Sequence, residues 1–402
     1  MIILSREQFA ELVSHAKKFL PNEVCGLLGG TISGDVRRVE KIYFLTNVDA
    51  SPEHFSMDAQ EQFAAVKDMR SQGWKLLGNF HSHPTTPARP SEEDKRLVFD
   101  TNLSYLILSL ADEPTLKSFR FDRAKNVLPE AILMTELAEK LERLKNNLRG
   151  LGSVAIAFSG GVDSTFLLKV VHDVLGDKVL ALTAASAFVP RREVDSAKKF
   201  CADNGIRQII FEADILKVGG VRENPVDRCY LCKRELFKNF LRIAAENKFA
   251  HVVEGSNTDD VGDFRPGMKA LAELEIKSPL RVAELSKSEI RELSQAMNLP
   301  TADKPSMACL ASRFVYGEHL TEEKLSAVEA AEEFLRGFGI NQLRVRVHGS
   351  LARIEIFPED FGRLIEMRQA VVEKLNSLGF DYVTLDLQGF RSGSMNIGVR
   401  RN

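Results

Sequence analysis

Residues Ser153 to Ala184 read SVAIAFSGGVDSTFLLKVVHDVLGDKVLALTA. An apolar strand ending at Phe158 runs into a glycine turn, a helix follows from near Asp163, and a second apolar strand closes the stretch. Strand, crossover helix and buried strand in that order predict a parallel, doubly wound α/β sheet. Apolar runs at Gln208 to Ala213 and His251 to Gly255 extend the same pattern. Ligands of such sheets bind outside the carboxyl ends of the strands, so the turn after Phe158 is the first place to look for chemistry.

Working outward, the 402 residues divide into four segments, in keeping with roughly 100–200 residues per domain. Residues 1–125 alternate strand-like runs, such as Leu76 to His81, with amphipathic helices and form an α/β domain. Residues 126–148 are a linker, with one helix expected over Pro129 to Leu148 from the spacing of Leu137, Leu141 and Leu144. Residues 149–318 hold the doubly wound domain. Residues 319–402 read as a small α+β domain, with strands expected at Leu343 to Val347, Ala352 to Phe357 and Tyr382 to Leu387.

The composition is globular, with 44% hydrophobic and 27% charged residues, and the net charge is -2. That balance argues against a phosphate backbone as partner, although a local basic face is compatible with it. No apolar stretch reaches the length of a membrane span and no secretory leader opens the chain, which points to a cytoplasmic protein. Five unevenly placed cysteines are no disulfide framework; they suggest a reducing compartment with metal or sulfur chemistry.

In Ser159-Gly160-Gly161-Val162-Asp163-Ser164 the glycines allow a tight turn that presents N–H groups, the hydroxyls add donors, and the helix start favours an anion. No lysine follows, so this is not a Walker A loop. Asp163 can hold Mg2+ against phosphates. A polar, acidic loop carrying Gly255, Asn257 and Asp260 ends a later strand, and in a doubly wound sheet both loops should meet over one ligand. The S-G-G-x-D-S motif resembles the PP-loop of ATP pyrophosphatases. That resemblance implies ATP as ligand, release of pyrophosphate and an adenylated substrate.

A second constellation lies in GNFHSHPTTPARPSEED. Period-2 alternation puts His81 and His83 on one side of a strand, and Asp94 can complete three ligands of a zinc ion with a fourth position left open. Ser91 to Asp94 also reads as a helix N-cap with acids in the first turn. Glu23 in PNEVCGLLGG is the carboxylate available as base. The glycine run Gly26 to Gly34 reads as a strand and hairpin turn, and Cys25 as a buried apolar side chain. Glu23 followed by H-x-H, seven residues and S-x-x-D resembles the JAMM (MPN-plus) metalloproteases, with MDAQEQF (Met57 to Phe63) in support. The resemblance implies Zn2+ on His81, His83 and Asp94, Glu23 as general base, Ser91 at the oxyanion, and a ubiquitin-like or sulfur-carrier protein as substrate.

Cys229 and Cys232 form a C-x-x-C, and Cys309 follows in KPSMACLASRF. Three thiolates can hold a 4Fe-4S cluster with one open iron, can bind zinc, or can act by disulfide chemistry. SGGVDS, NPVDRCYLCK, EGSNTDDVGDFRPG, MACLASRFVYGEHLT, LRVRVH and LDLQGFRSGSMN resemble, in order, the LarE family of ATP-dependent sulfur transferases, over about Leu137 to Asn396. The resemblance implies adenylation of a pyridinium dicarboxylate mononucleotide, its conversion to thiocarboxylates, and a homo-oligomer. Sulfur would come from a sulfide on a cluster held by Cys229, Cys232 and Cys309, the reading preferred here, or from Cys309 itself, consumed in the reaction. Thiolation of tRNA, which some PP-loop enzymes with three cysteines perform, is the rival and is disfavoured by the charge.

Arg344 and Arg346 share one side of an amphipathic strand, an exposed face suited to a phosphate monoester, with His348 beside them. Ser312, Arg313 and Arg391 are weaker candidates for the same substrate, and Glu332 reads equally as a helix salt bridge. The expectation is therefore a fused sulfur-mobilising enzyme with a hydrolase ahead of a sulfur transferase.

Overall fold

The structure is a computed structural model that describes residues 1–261, 266–305, 308–391 and 393–396. The chain divides into two units, Met1–Glu142 and Arg143–Asn402.

The first unit runs β1 (Ile2–Leu4), α1 (Arg6–Lys18), β2 (Cys25–Ser33), β3 (Val36–Leu45), α2 (Ala59–Ser71), β4 (Lys75–His83), α3 (Glu92–Leu97), β5 (Ser104–Ser109), β6 (Thr115–Phe121), β7 (Val127–Glu130) and β8 (Ile132–Met134); the division falls inside α4 (Thr135–Leu151). The eight strands form one mixed sheet in the order β7-β6-β5-β4-β2-β3-β1-β8. Adjacent residues of β2 serve opposite faces. Leu28 packs with Leu12 and Ala16 of α1, and Leu27 with Ala65 and Met69 of α2. The glycine run is the expected strand and hairpin, with Gly34 at φ +58 in the turn. Gly78 is required by close approach, since a Cβ there would stand 1.9 Å from the Ser104 carbonyl oxygen.

The helix expected over Pro129 to Leu148 starts only at Thr135, because residues 127–130 and 132–134 are strands. Ile132 to Met134 pair in parallel with Ile2 to Leu4 and bury Leu133 completely, a gain that outweighs helix propensity in this short apolar run. Pro129 sits on the edge strand β7, where its missing N–H costs no ladder bond.

The second unit continues with β9 (Val154–Ala157), α5 (Val162–Leu175), β10 (Val179–Ala185), α6 (Arg191–Asp203), β11 (Gln208–Glu212), α7 (Arg228–Glu246), β12 (His251–Val253), α8 (Pro266–Glu273), α9 (Pro279–Val282), α10 (Lys287–Ala296), α11 (Glu322–Arg336), β13 (Leu343–His348), β14 (Leu351–Ile356), α12 (Phe361–Glu366), α13 (Arg368–Ser377) and β15 (Tyr382–Leu385). Strands β11-β10-β9-β12 make an all-parallel sheet. After β9 the chain steps outward to β10 and β11, then returns to the other side of β9 as β12. The switch point therefore lies between β9 and β12, whose loops are the two singled out from sequence.

The last three strands form a separate sheet, β13-β14-β15. Val345 and Ile354 pack against Val328 and Leu335 of α11 and Val371 and Leu375 of α13. Here the structure corrects the exposed face assigned to β13. Arg344 and Arg346 are 3% and 5% exposed, and only His348 is open to solvent. Segments preceding α11 and the end of the sheet cover that side, so both faces of the strand are internal. Among the described residues no helix is long and apolar enough to cross a membrane.

Candidate functional site

At the switch point, Gly160 has φ +70, a left-handed conformation that glycine adopts without strain. Gly161 is the N-cap of α5 and no side chain caps this helix, which leaves its first N–H groups to an anion. Ser164 Oγ donates to the Gly161 carbonyl (3.1 Å) and lies 3.1 Å from Ser159 Oγ. The two loops meet. Asn257 Nδ2 donates to Asp163 Oδ1 (3.4 Å), and a Cβ on Gly255 would be 3.1 Å from the Ser164 nitrogen. Asp260 Oδ2 accepts from the Asn257 N–H (3.0 Å) and so shapes the second loop.

Two lysines complete this cradle. The Lys287 ammonium bonds the Asp163 carboxylate, and Lys304 Nζ donates to the Gly160 carbonyl (2.9 Å) and to Glu193 Oε2 (2.6 Å). Sequence reasoning passed over both. Lys287 follows the capping-box residue Ser286 and reads simply as the first turn of a helix.

In the first unit, Phe80 enters the core under α1, so alternation along β4 sends His81 and His83 to the other face. Their Nε2 atoms are 3.0 Å apart; Asp94 Oδ1 is 3.3 Å from His81 Nε2, and Asp94 Oδ2 is 3.7 Å from His83 Nε2. Donors about 2.0–2.1 Å from a tetrahedral ion stand about 3.3 Å from one another, so the three residues fit zinc. His83 Nδ1 donates to the Pro87 carbonyl (3.1 Å), which leaves Nε2 as the free lone pair. Phe55 stacks on the His81 ring at 4.6 Å.

Ser82, between the histidines, locks the strand to the start of β2. Its N–H donates to the Val24 carbonyl and its Oγ accepts from the Val24 N–H, both at 2.9 Å. This holds Glu23 beside the histidines. Burial pushes the Glu23 carboxyl up to about 8, against the pull of His83. Burial also pushes His81 down. At His83 the hydrogen bonds to Asp94 and Pro87 and the charge of Glu23 outweigh burial and raise it, while bonds from His81 and His83 hold Asp94 well below the carboxylate range despite its burial. Ser91 is the N-cap of α3. Its Oγ accepts from the Asp94 N–H (3.0 Å) and donates to Asp94 Oδ2 (2.7 Å), so in this structure it buttresses a ligand.

Cys229 and Cys232 lie in the first turns of α7, and Cys309 caps the short 3-10 turn Leu310–Arg313. Each thiol of the pair is pushed up first by burial and next by Cys309; Cys232, the more enclosed, reaches about 12. Cys229 is exposed, and desolvation weighs less on it. Among the described residues His81, His83 and Asp94 are the one group of donors gathered closely enough for a single ion, and the three cysteines are not so gathered. A polynuclear cluster needs its thiolates spread wider than a single ion does. Arg228 ties the two segments together, with Nη1 donating to the Ala311 carbonyl (3.1 Å) and to Asn224.

Behind Cys309 sits a buried ion-pair network. Arg313, wholly buried, makes a two-pronged pair with Glu332 (2.9 and 3.0 Å), and its Nη1 donates to the carbonyls of Ala308 (2.5 Å) and Cys309 (2.9 Å). Ser312 Oγ also donates to the Cys309 carbonyl (2.7 Å). Glu332 accepts the Val345 N–H (3.1 Å), and burial is outweighed by Arg313, so its carboxyl titrates low. Thus Glu332 is a salt bridge, to Arg313 of another segment and also, at 3.9 Å, to Arg336 one turn on in its own helix. Arg346 pairs with Glu355 (2.9 Å) and donates to the Ser312 carbonyl (3.0 Å); Arg344 lies 5.2 Å over the Phe390 ring. Arg391 is farther out, 3.5 Å from Asp386.

Comparison with known proteins gives each unit a relative. Residues 5–122 match the family described as prokaryotic homologs of the JAB domain. The CysO-cysteine peptidase of Mycobacterium tuberculosis is 29% identical over 122 residues, 30% of this chain and 82% of that protein. The pyridinium-3,5-bisthiocarboxylic acid mononucleotide synthase of Lactiplantibacillus plantarum is 39% identical over 264 residues, 65% of this chain and 96% of that protein. An uncharacterized protein of Synechocystis is 41% identical over 262 residues, 65% of this chain and 98% of that protein.

Proposed function

From the premise that the chain belongs to the LarE-like sulfur transferases and carries a JAB (JAMM/MPN) domain at its N-terminus, we propose a two-part sulfur-mobilising enzyme. Residues 149–318 adenylate a carboxylate of a pyridinium dicarboxylate mononucleotide and exchange oxygen for sulfur, residues 319–402 hold its phosphate, and residues 1–125 hydrolyse a ubiquitin-like sulfur-carrier protein. The observation that carries the first assignment is the meeting of the Asp163 and Asn257 loops at the switch point of the parallel sheet.

The chemistry is an in-line displacement followed by acyl transfer. A substrate carboxylate oxygen attacks the α-phosphorus of ATP, the bond to the β-phosphate oxygen breaks, and pyrophosphate leaves. Ser159, Ser164 and the amides of Gly160 and Gly161 receive the phosphates; Asp163 would hold Mg2+, which would offset their charge, and Lys287, bonded to Asp163, adds a cation beside them. A sulfur nucleophile then adds to the acyl carbon and AMP departs, leaving a thiocarboxylate. Cys229, Cys232 and Cys309 form the sulfur site, and a 4Fe-4S cluster bound there would supply a sulfide on its open iron. Arg313, Ser312 and Arg228 fix the Cys309 segment. Arg344 and Arg346, side by side on one face of β13, take the substrate phosphate.

In the N-terminal unit His81, His83 and Asp94 would hold zinc, which would supply Lewis acidity at the scissile carbonyl. Glu23, held beside the histidines by the paired bonds of Ser82 and Val24, takes and returns the proton. The sulfur carrier as partner follows from likeness to a peptidase named for a protein–cysteine conjugate.

The test of the nucleotide assignment is Asp163→Asn. Substrate-dependent release of pyrophosphate should fall at least about 100-fold, as expected for loss of a group that stabilises charge in the transition state. Release at the parent rate removes Asp163 from the mechanism.

A further inference from the structure

The loop between β3 and α2 is tied to the three segments that build the histidine site. Residues 47–57 are closed at the neck by the Asn47–Met57 bridge, by the Val48 N–H on the Ser56 carbonyl (2.9 Å) and by the Asp58 N–H on the Thr46 carbonyl (3.1 Å), the form of an Ω-loop. One side chain organises it. Asn47 Nδ2 donates to the carbonyls of His54 (2.9 Å) and Glu23 (3.0 Å), and its Oδ1 accepts the N–H groups of Asp49 and Ser56, both at 3.1 Å. That is the full bonding capacity of an amide side chain. The Ser51 carbonyl takes the Glu23 N–H (2.8 Å), so the loop grips that residue from both sides. At its far end His54 Nδ1 donates to Glu93 Oε2 (2.5 Å) on α3, next to Asp94. Beside it Phe55 lies on the His81 ring, with centroids 4.6 Å apart and planes 22° from parallel.

The two outer contacts differ in weight. The side chains of the His54–Glu93 pair are 55% and 37% exposed, where an ion pair contributes little. Phe55 touches a metal-ligand candidate directly. Backbone pairing of β4 fixes the His81 Cα, but the direction of its ring is left to side-chain contacts. A ligating imidazole is ordinarily held by a hydrogen bond from its other nitrogen, as His83 is by Nδ1 on the Pro87 carbonyl. The contacts of His81 with His83 (3.0 Å) and Asp94 (3.3 Å) run through Nε2, the atom that faces the other two ligands, so they cannot hold the ring once that atom binds a metal. The His83 ring beside it, tilted by 54°, is itself a ligand. The stack on Phe55 has the spacing of an offset aromatic pair and does not compete for Nε2. Resting on the reading of His81, His83 and Asp94 as a zinc site, we propose that Phe55 is a positioning residue that sets the His81 ring for the metal, and that Asn47 holds Phe55 in place by closing its loop.

The test uses the full chain freed of metal, with zinc affinity read by chelator competition and coordination geometry by the visible absorption of the cobalt-loaded protein. Binding that persists in His81→Ala belongs to other groups and is subtracted. Phe55→Ala should weaken zinc about 10-fold, the lower end of what a lost ligand support costs, and shift the cobalt bands. Asn47→Ala, which opens the loop, should do the same. Phe55→Tyr keeps the stack and should stay within about 2-fold of the parent, whereas Phe55→Leu keeps an apolar cover without a flat face and should behave as Phe55→Ala. A loop with a merely structural role would lower the melting temperature and leave zinc affinity and cobalt bands unmoved in variants folded at the assay temperature. Parent-like affinity in folded Phe55→Ala, Phe55→Leu or Asn47→Ala would overturn the proposal and leave the zinc reading intact. A parent chain that binds no more zinc than His81→Ala would overturn both.

Discussion

The histidine site and the cysteine site bring their donors together by different means. His81 and His83 are neighbours on one strand in the middle of an eight-stranded sheet, and the only donor they need from farther along the chain is Asp94. Cys309 meets Cys229 and Cys232 across some 80 residues of chain; besides the Leu310 N–H on the Phe188 carbonyl and a bridge from Phe314 to Val347, its segment is held by side chains, Arg228 on the Ala311 carbonyl and Arg313 on the Ala308 and Cys309 carbonyls. The first site is built into backbone pairing. The second depends on buried charges, each of which must be satisfied to be tolerated. A sheet-borne site should therefore survive single side-chain changes structurally and lose only its metal, while the cysteine site should lose structure.

The sharpest way to break that contrast is Glu332→Gln. Removing one partner of a buried pair leaves Arg313 uncompensated and should cost about 3–5 kcal/mol in denaturant unfolding at neutral pH. The sign with pH follows from the depressed carboxyl. The pair contributes fully above the ordinary glutamate value of 4.5, and its contribution is lost as pH falls through the lower folded value. The gap between parent and variant should narrow only below that ordinary value. A gap under about 1 kcal/mol at neutral pH would remove the ion pair as the clamp.

Next in size, His81→Ala should lower zinc affinity at least about 100-fold, about 2.7 kcal/mol, in chelator competition, with little change in far-ultraviolet circular dichroism. Loss of fold together with zinc would erase the difference between the sites. Smaller again, Ser82→Ala strands the Val24 N–H and should cost about 1–3 kcal/mol in unfolding, and hydrolysis should weaken because Glu23 is no longer held to the histidine strand. An unchanged hydrolytic rate would show that Glu23 is positioned by other contacts, such as its own N–H to the Ser51 carbonyl (2.8 Å).

The same contrast explains what was legible in the sequence. The parallel doubly wound class, the glycine turn after Phe158 and the facing of His81 and His83 follow from periods of two and 3.6 residues and from glycine turns, which are local signals. The mixed α/β fold followed from those signals alone. The strand at Ile132 to Met134 was hidden because its parallel partner lies at the other end of the unit, at Ile2 to Leu4. For Arg344 and Arg346, alternation gave the side of the strand correctly but not what covers it. Their burial is set by Ser312, Glu355 and Phe390, which are remote in sequence. Lys287 and Lys304 carry no local mark at all; only the folded loops reveal that they reach Asp163 and Gly160.

The central claim, ATP-driven exchange of carboxylate oxygen for sulfur, is tested most directly by mass spectrometry after anaerobic turnover with ATP and the pyridinium dicarboxylate mononucleotide. The account predicts a product in which sulfur has replaced oxygen, AMP and pyrophosphate in equal amounts, and, for a sulfide donor, an intact Cys309; dehydroalanine at that position would assign the sulfur to Cys309 itself. An unaltered mononucleotide with no AMP formed would contradict the claim.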